Sequence, residues 1–146
     1  MPKSIIYIGE KAFLGCYYLA SEIEFNDDVE LASQAFYNCY ELHLNKLPSN
    51  MTSLGSFVFT NCRKLNISQL GSNDGSHPLT TIGTYALYGA CLDTKTLDIG
   101  SSVISIGENA FTNGYKNVLM VNDYSNYTAE ELVALGLPAG TINDIE

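Results

Sequence analysis

Apolar and small residues recur along this chain in one fixed order. An apolar residue and a small one are followed, two residues later, by a small residue and a large apolar one. The five copies are Ile8-Gly9 with Ala12-Phe13, Leu31-Ala32 with Ala35-Phe36, Leu54-Gly55 with Val58-Phe59, Ile82-Gly83 with Ala86-Leu87, and Ile106-Gly107 with Ala110-Phe111. Successive large residues are 23, 23, 28 and 24 positions apart. This period predicts a solenoid, because so short a unit buries its apolar residues only by stacking on its neighbours.

Each unit continues with a small residue and then a partly alternating apolar run. The small slot holds Cys16, Cys39, Cys62, Ala90 and Gly114. The apolar run predicts one short strand per repeat, and stacked strands would form a parallel sheet along one face. We therefore expect an α/β solenoid, a right-handed curved ribbon of about five 23-residue repeats with turns or short helical coils opposite the strands.

Glycine follows the first apolar residue in four of the five copies, at a turn where a Cβ is unwelcome. Ala32 takes that place in the second copy. Either a negative φ at Ala32 or a locally altered turn would accommodate it.

The segments 8–16 and 106–111 resemble the I-G-x-x-A-F-x-x-C signature of BspA-like leucine-rich repeats. The resemblance covers roughly residues 4–122. It implies a leucine-rich-repeat-like fold and a bacterial protein at the cell surface or secreted. Proteins of that family are often adhesins that bind host or microbial proteins, so the resemblance also implies a role in adhesion.

The sequence divides into repeats over residues 1–122 and a C-terminal cap or tail over residues 123–146. In the tail, Thr128 and Glu131 form a capping-box pattern and Gly136 provides a stop, so we expect a helix near 128–135. Its apolar residues Leu132, Val133 and Leu135 would close the open end of the last repeat. Few residues precede the first repeat, so we expect further repeats or another domain before Met1.

Charge restricts the classes of partner. The 146 residues carry 7 Lys and Arg against 16 Asp and Glu, a formal net charge of −9, with no cluster of basic residues. Nucleic acid and membrane insertion are therefore poor expectations. The chain has 10 Tyr and no Trp, and tyrosine suits exposed contacts as well as core edges.

Candidate chemistry is sparse. The cysteines follow the repeat period, so we interpret them as stacked core residues that lie near disulfide reach yet stay reduced and buried. No zinc spacing or catalytic constellation stands out, and we predict no metal, cofactor or enzymatic activity. The polar stretches 26–28 and 72–76 would suit either a calcium ion or, as we prefer, ordinary turns.

Three groups of residues are candidates for ligand binding. One residue after the small slot lies a series of large side chains, Tyr17, Tyr40, Arg63 and Tyr115, which would form either a ligand stripe or a shield over the core. His43 and Asn66 would point outward from the strands, where solenoids often bind partners. Asp74 and His77 lie in a stretch, residues 71–78, that lengthens its repeat and should bulge from the solenoid.

We interpret the chain as a non-enzymatic binding module that acts in adhesion, extracellular or at the cell surface. Its partner would be a host-matrix or microbial surface protein, with a glycan as the alternative. The alternative is a passive structural spacer in a surface or phage-tail assembly.

Overall fold

The structure, a computed structural model, describes residues 1–145. Its elements in chain order are β1 (Tyr7–Ile8), β2 (Glu30–Leu31), β3 (Ser53–Leu54), β4 (Gln69–Leu70), β5 (Thr81–Ile82), β6 (Thr96–Ile99), β7 (Ser105–Ile106), β8 (Met120–Asp123), α1 (Ala129–Ala134) and β9 (Ile142–Asp144). All strand pairs are parallel. The chain thus forms the predicted solenoid with parallel strands, in about six turns where about five repeats were predicted, and with little helix.

Two separate ladders of strands run along the solenoid. One ladder contains β4, β6, β8 and β9 and corresponds to the predicted strands; in the first two coils it is reduced to a single bridge between Glu22 and His43. The other ladder contains the pair β1–β2 and the sheet β3–β5–β7. This second ladder was not anticipated, because a two-residue strand with one exposed and one buried side chain leaves no alternation to detect.

The large residue of each repeat forms a continuous core, as predicted. The Phe13 and Phe36 rings stack with centroids 5.0 Å apart, and Phe36 and Phe59 follow at 5.8 Å. Leu87 and Phe111 are fully buried. Phe13 is only partly buried because the first coil has a neighbour on one side alone among residues 1–145.

The turns around the Ala-Phe pairs are also joined from coil to coil. The backbone N–H of Phe13 donates to the Ala35 carbonyl at 2.8 Å, and that of Phe36 donates to Val58 at 3.0 Å. Each turn contains residues at positive φ, and this backbone conformation orients the N–H and carbonyl groups of the turn along the stack. Backbone hydrogen bonds on this side replace those that a helix would make internally.

Ala32 marks a break in the second ladder. It has no positive φ, and no backbone hydrogen bond joins β2 to β3. An ideal Cβ on Gly107 would lie 2.4 Å from the backbone nitrogen of Thr84, whereas one on Gly55 would lie 3.2 Å from that of Ser33. Close approach of successive coils therefore requires glycine at Gly83 and Gly107, whereas the second and third coils are less close at Gly55.

The C-terminal tail builds the last turn of the solenoid. Thr128 caps α1 with both hydrogen bonds of the capping box, which confirms the predicted helix. The Phe111 N–H donates to the Leu135 carbonyl at 2.9 Å, as earlier coils do to their successors. Leu132 is buried but Val133 is 38% exposed, so the expectation that Val133 closes the core was wrong. The helix turns Val133 away from the coil that Leu132 covers.

Candidate functional site

Three side chains, the exposed Tyr17 and Arg63 and the half-buried Tyr40, form a stack at one corner of the first three coils. The rings of Tyr17 and Tyr40 lie 5.1 Å apart between centroids, and the guanidinium carbon of Arg63 lies 4.2 Å from the Tyr40 centroid. We call Tyr17, Tyr40 and Arg63 the aromatic corner. The sequence placed these residues in one register, and the structure brings them together because successive coils align that register.

The aromatic corner leaves contact groups open to solvent. Tyr17 is 45% exposed and the adjacent Tyr18 is 90% exposed. Arg63 is exposed and forms no ion pair within residues 1–145. The cation–π contact with Tyr40 orders the guanidinium while leaving its N–H edges available to an acceptor.

Tyr115 does not belong to the aromatic corner, and its assignment as an exposed ligand residue was wrong. It is fully buried, and its hydroxyl donates to the Ile67 carbonyl at 2.9 Å. Cys91 holds the place of Tyr115 in the fourth repeat, one residue after the small slot. Tyr115 and Cys91 have φ of 48° and 54°, and this left-handed backbone turns both side chains into the core. Burial raises the pKa of Cys91 to about 11 and that of Tyr115 well above its ordinary value.

His43 and Asn66 lie on the strand face rather than in the aromatic corner. Both are exposed, and Asn66 Oδ1 accepts a hydrogen bond from Thr94 Oγ1 at 3.0 Å. Polar pairs along this face include Asn45 Nδ2, which donates to Glu22 Oε1, and Asn122 Nδ2, which donates to Asp98 Oδ1, each at 2.9 Å. Several polar side chains of this face, Asn66 among them, therefore already have partners on neighbouring coils.

Asp74 and His77 lie in the 71–78 loop, apart from both other groups. The Asp74 carboxylate accepts the Ser76 N–H at 2.9 Å, and these hydrogen bonds with Ser76 lower its pKa. The Ser72 hydroxyl bonds to the backbone of His77, not to its ring, and Nδ1 of His77 is buried without a partner. These contacts brace the loop and provide no nucleophile–base pair.

Sequence reasoning missed a second aromatic cluster, on the turn side of the solenoid. Phe57 and Tyr85 stack with centroids 5.0 Å apart at an interplanar angle of 3°, and Tyr37 and Tyr88 flank them. Phe57 and Tyr85 both lie two residues after the repeat glycine, so their common register was a usable signal. The rings cover one another in part, and all four are half-buried.

The break between β2 and β3 opens a surface groove of about 550 Å³ whose lining includes Asp28, Glu30, Asn50 and Thr52. Five exposed carboxylates lie within residues 22–30, and none pairs with a basic side chain in residues 1–145. Asn26 and Asp27 serve in local polar contacts: Asn26 Oδ1 accepts the Asp28 N–H at 2.7 Å and Asp27 Oδ1 accepts from Ser49 Oγ at 2.8 Å. No three His, Cys, Asp or Glu side chains in the described chain are grouped to hold a metal ion.

A family model for the BspA-type leucine-rich-repeat region matches residues 1–118 as six copies. The chain therefore belongs to the BspA-type leucine-rich-repeat family. Comparison with curated proteins found no significant match, and comparison with solved structures likewise found none.

Membership of this family carries general properties. Leucine-rich repeats are generally a non-enzymatic fold that mediates protein interactions. Repeats of the BspA type are typical of bacterial surface or secreted proteins. Among residues 1–145, no helix has the length and apolar character needed to cross a bilayer.

Proposed function

We propose that this chain is an adhesion module of a bacterial cell-surface or secreted protein, and that the aromatic corner is its main contact with a protein partner. The observation that carries the proposal is the Tyr17–Tyr40–Arg63 stack, an ordered group that leaves Tyr17 and Arg63 exposed. Tyrosine and arginine are the residues that most often dominate protein interfaces. Because neighbouring side chains already hold them in place, little rotamer entropy is lost on binding.

The partner would be a host-matrix protein or a microbial surface protein. A glycan is a further possibility at the same corner, because an exposed tyrosine ring can stack on a sugar. His43 and Asn66 on the strand face, and Asp74 and His77 in the 71–78 loop, would belong to contact surfaces separate from the aromatic corner.

The test is binding of the immobilised chain to purified extracellular-matrix proteins and to microbial surface extracts. Tyr17→Ala and Arg63→Ala should each weaken binding at least tenfold. The matched controls are Tyr7→Ala, another exposed tyrosine, and Lys116→Ala, another exposed cation. Equal binding by all four variants would show that the aromatic corner is not the binding site.

A passive spacer in a surface or phage-tail assembly is the second candidate. It is favoured by the unbroken core and by the last coil, which α1 and β9 cover at its outer side. A spacer predicts no partner that is sensitive to Tyr17 or Arg63.

A further inference from the structure

Three cysteines occupy the same slot in the first three coils, and their side chains point along the stack. Sγ of Cys39 donates to the Phe13 carbonyl at 3.0 Å, and Sγ of Cys62 donates to the Phe36 carbonyl at 3.0 Å. Each thiol therefore lies against the turn that carries the preceding cysteine.

Cys16 and Cys39 occupy the same slot on adjacent coils, and the spacing of those coils is one that a disulfide can span. The Phe13 carbonyl accepts both the Cys16 N–H, at 3.1 Å, and the Cys39 thiol, so the Cys39 sulfur and the Cys16 nitrogen are no more than about 6 Å apart. The Phe13 and Phe36 rings, three residues earlier, are separated by 5.0 Å. Disulfide-linked cysteines have Cα atoms about 4.4–6.8 Å apart, a range that includes this coil spacing.

The three thiols differ in access. Cys16 is exposed, whereas Cys39 and Cys62 are buried. The expectation that the whole ladder is buried was therefore wrong for Cys16, whose coil has a neighbour on one side only within residues 1–145. An exposed thiol is open to attack from solution, and a buried one reacts only with a group delivered beside it.

Cys39 is also the more readily ionised of the two buried thiols. The neighbouring Cys62 thiol and the backbone N–H of Cys16 lower the pKa of Cys39, and burial raises the pKa of Cys62. A thiolate at Cys39 faces the residue to which an external group would first be attached.

We propose that Cys16 and Cys39 form a reversible disulfide when the protein meets a low-molecular-weight disulfide such as oxidised glutathione. The Cys16 thiolate attacks the small disulfide, forms a mixed disulfide and releases one thiolate. The Cys39 thiolate then attacks the Cys16 sulfur, forms the Cys16–Cys39 bond and expels the second thiolate. Two protein thiols are oxidised, one small disulfide is reduced to two thiols, and the two protons from the cysteines end on the released thiols.

The bond would staple the first coil to the second. The first coil is the least buried part of the stack, with Leu14 and Tyr17 both more than 40% exposed. Closing the 23-residue loop between the two cysteines removes conformational freedom mainly from the unfolded chain. The inference does not depend on the proposed adhesion function.

The experiment treats the folded, fully reduced chain with oxidised glutathione and maps its peptides by mass spectrometry without reduction. We expect one intrachain disulfide joining the Cys16 and Cys39 peptides, the loss of two hydrogen masses, and a thermal midpoint raised by several degrees. Cys62→Ala and Cys91→Ala should both still form it. Cys16→Ser, at an exposed position where folding should be unaffected, should abolish it.

Three results would overturn the proposal. One is a glutathione adduct that stays on Cys16 without resolving. Another is a dimer linked through Cys16, and the third is four free thiols after treatment.

Discussion

The backbone N–H of Ile106 donates to the hydroxyl of Tyr127 at 2.8 Å. Ile106 belongs to β7, the last strand of its ladder, and no further strand pairs with it within residues 1–145. A side chain from the C-terminal tail thus satisfies a backbone donor at the last strand of this ladder. The tail closes the solenoid by hydrogen bonding as well as by burial.

Tyr127→Phe should therefore expose this edge. We expect a loss of about 1 kcal/mol in the free energy of unfolding, because a partly buried N–H loses its acceptor. Amide hydrogen exchange measured by NMR should be faster at Ile106 than in the original protein. Tyr124→Phe is the control, and unchanged exchange at Ile106 would show that water replaces the hydroxyl without cost.

Removing a ring from the Phe ladder should cost more in the middle of the solenoid than at its start. Phe36→Ala leaves a cavity between two stacked rings and should lower the free energy of unfolding by about 3–5 kcal/mol. Phe13→Ala should cost less, because Phe13 is partly exposed. Urea denaturation compares the two, and equal losses would contradict the model of a core whose first coil is open.

The repeat glycines should be sensitive according to how closely the coils approach. A Cβ at Gly107 would lie 2.4 Å from a backbone nitrogen, whereas one at Gly9 would meet only a tyrosine ring atom at 3.7 Å. We expect Gly107→Ala to cost roughly 2 kcal/mol or more and Gly9→Ala about 0.5 kcal/mol or less. Thermal melts of the two variants test the order, and a reversed order would reject close approach as the reason for glycine.

Tyr115→Phe should destabilise the fold without affecting ligand binding. The change removes the hydrogen bond to the buried Ile67 carbonyl and should cost about 1–3 kcal/mol. Tyr17→Ala should show the opposite pattern, with a large effect on binding and a small one on stability. A loss of affinity in the folded Tyr115→Phe variant would return this residue to the binding surface.

Stability should fall in alkaline solution because of Cys91. Its pKa is about 11 in the folded protein against 9.0 for an ordinary thiol. As the pH rises, the Cys91 thiol therefore loses its proton in the unfolded chain before it does so in the folded protein. The contribution of Cys91 to the free energy of unfolding is fully present below pH 9 and is lost as the pH rises through about 11. The full effect is on the order of 2–3 kcal/mol.

Denaturation between pH 8 and pH 11 measures this loss, with about 1.4 kcal/mol expected per unit of pKa shift. Cys91→Ala should flatten the profile, although the similarly raised pKa of Cys62 and Tyr115 leaves part of the slope. A profile that is unchanged in Cys91→Ala would contradict the assignment.

The repeat register predicted which residues align. Tyr17, Tyr40 and Arg63 occupy equivalent positions, and translation from coil to coil places them in one stack. The same reasoning failed at Tyr115, because a left-handed φ reverses the direction of a side chain without changing its place in the repeat. Repeat counting cannot detect a change of one backbone angle.

The sequence by itself determined the solenoid, its core ladder, the capping helix and the family, since each follows from which side chains recur and at what spacing. Only the tertiary structure decided that a second strand ladder exists, that it breaks at Ala32, and that Cys16 is exposed while its counterparts are buried. These features depend on distances between coils and on which coil has a neighbour. Such quantities exist only after stacking, because a single coil has no buried core of its own.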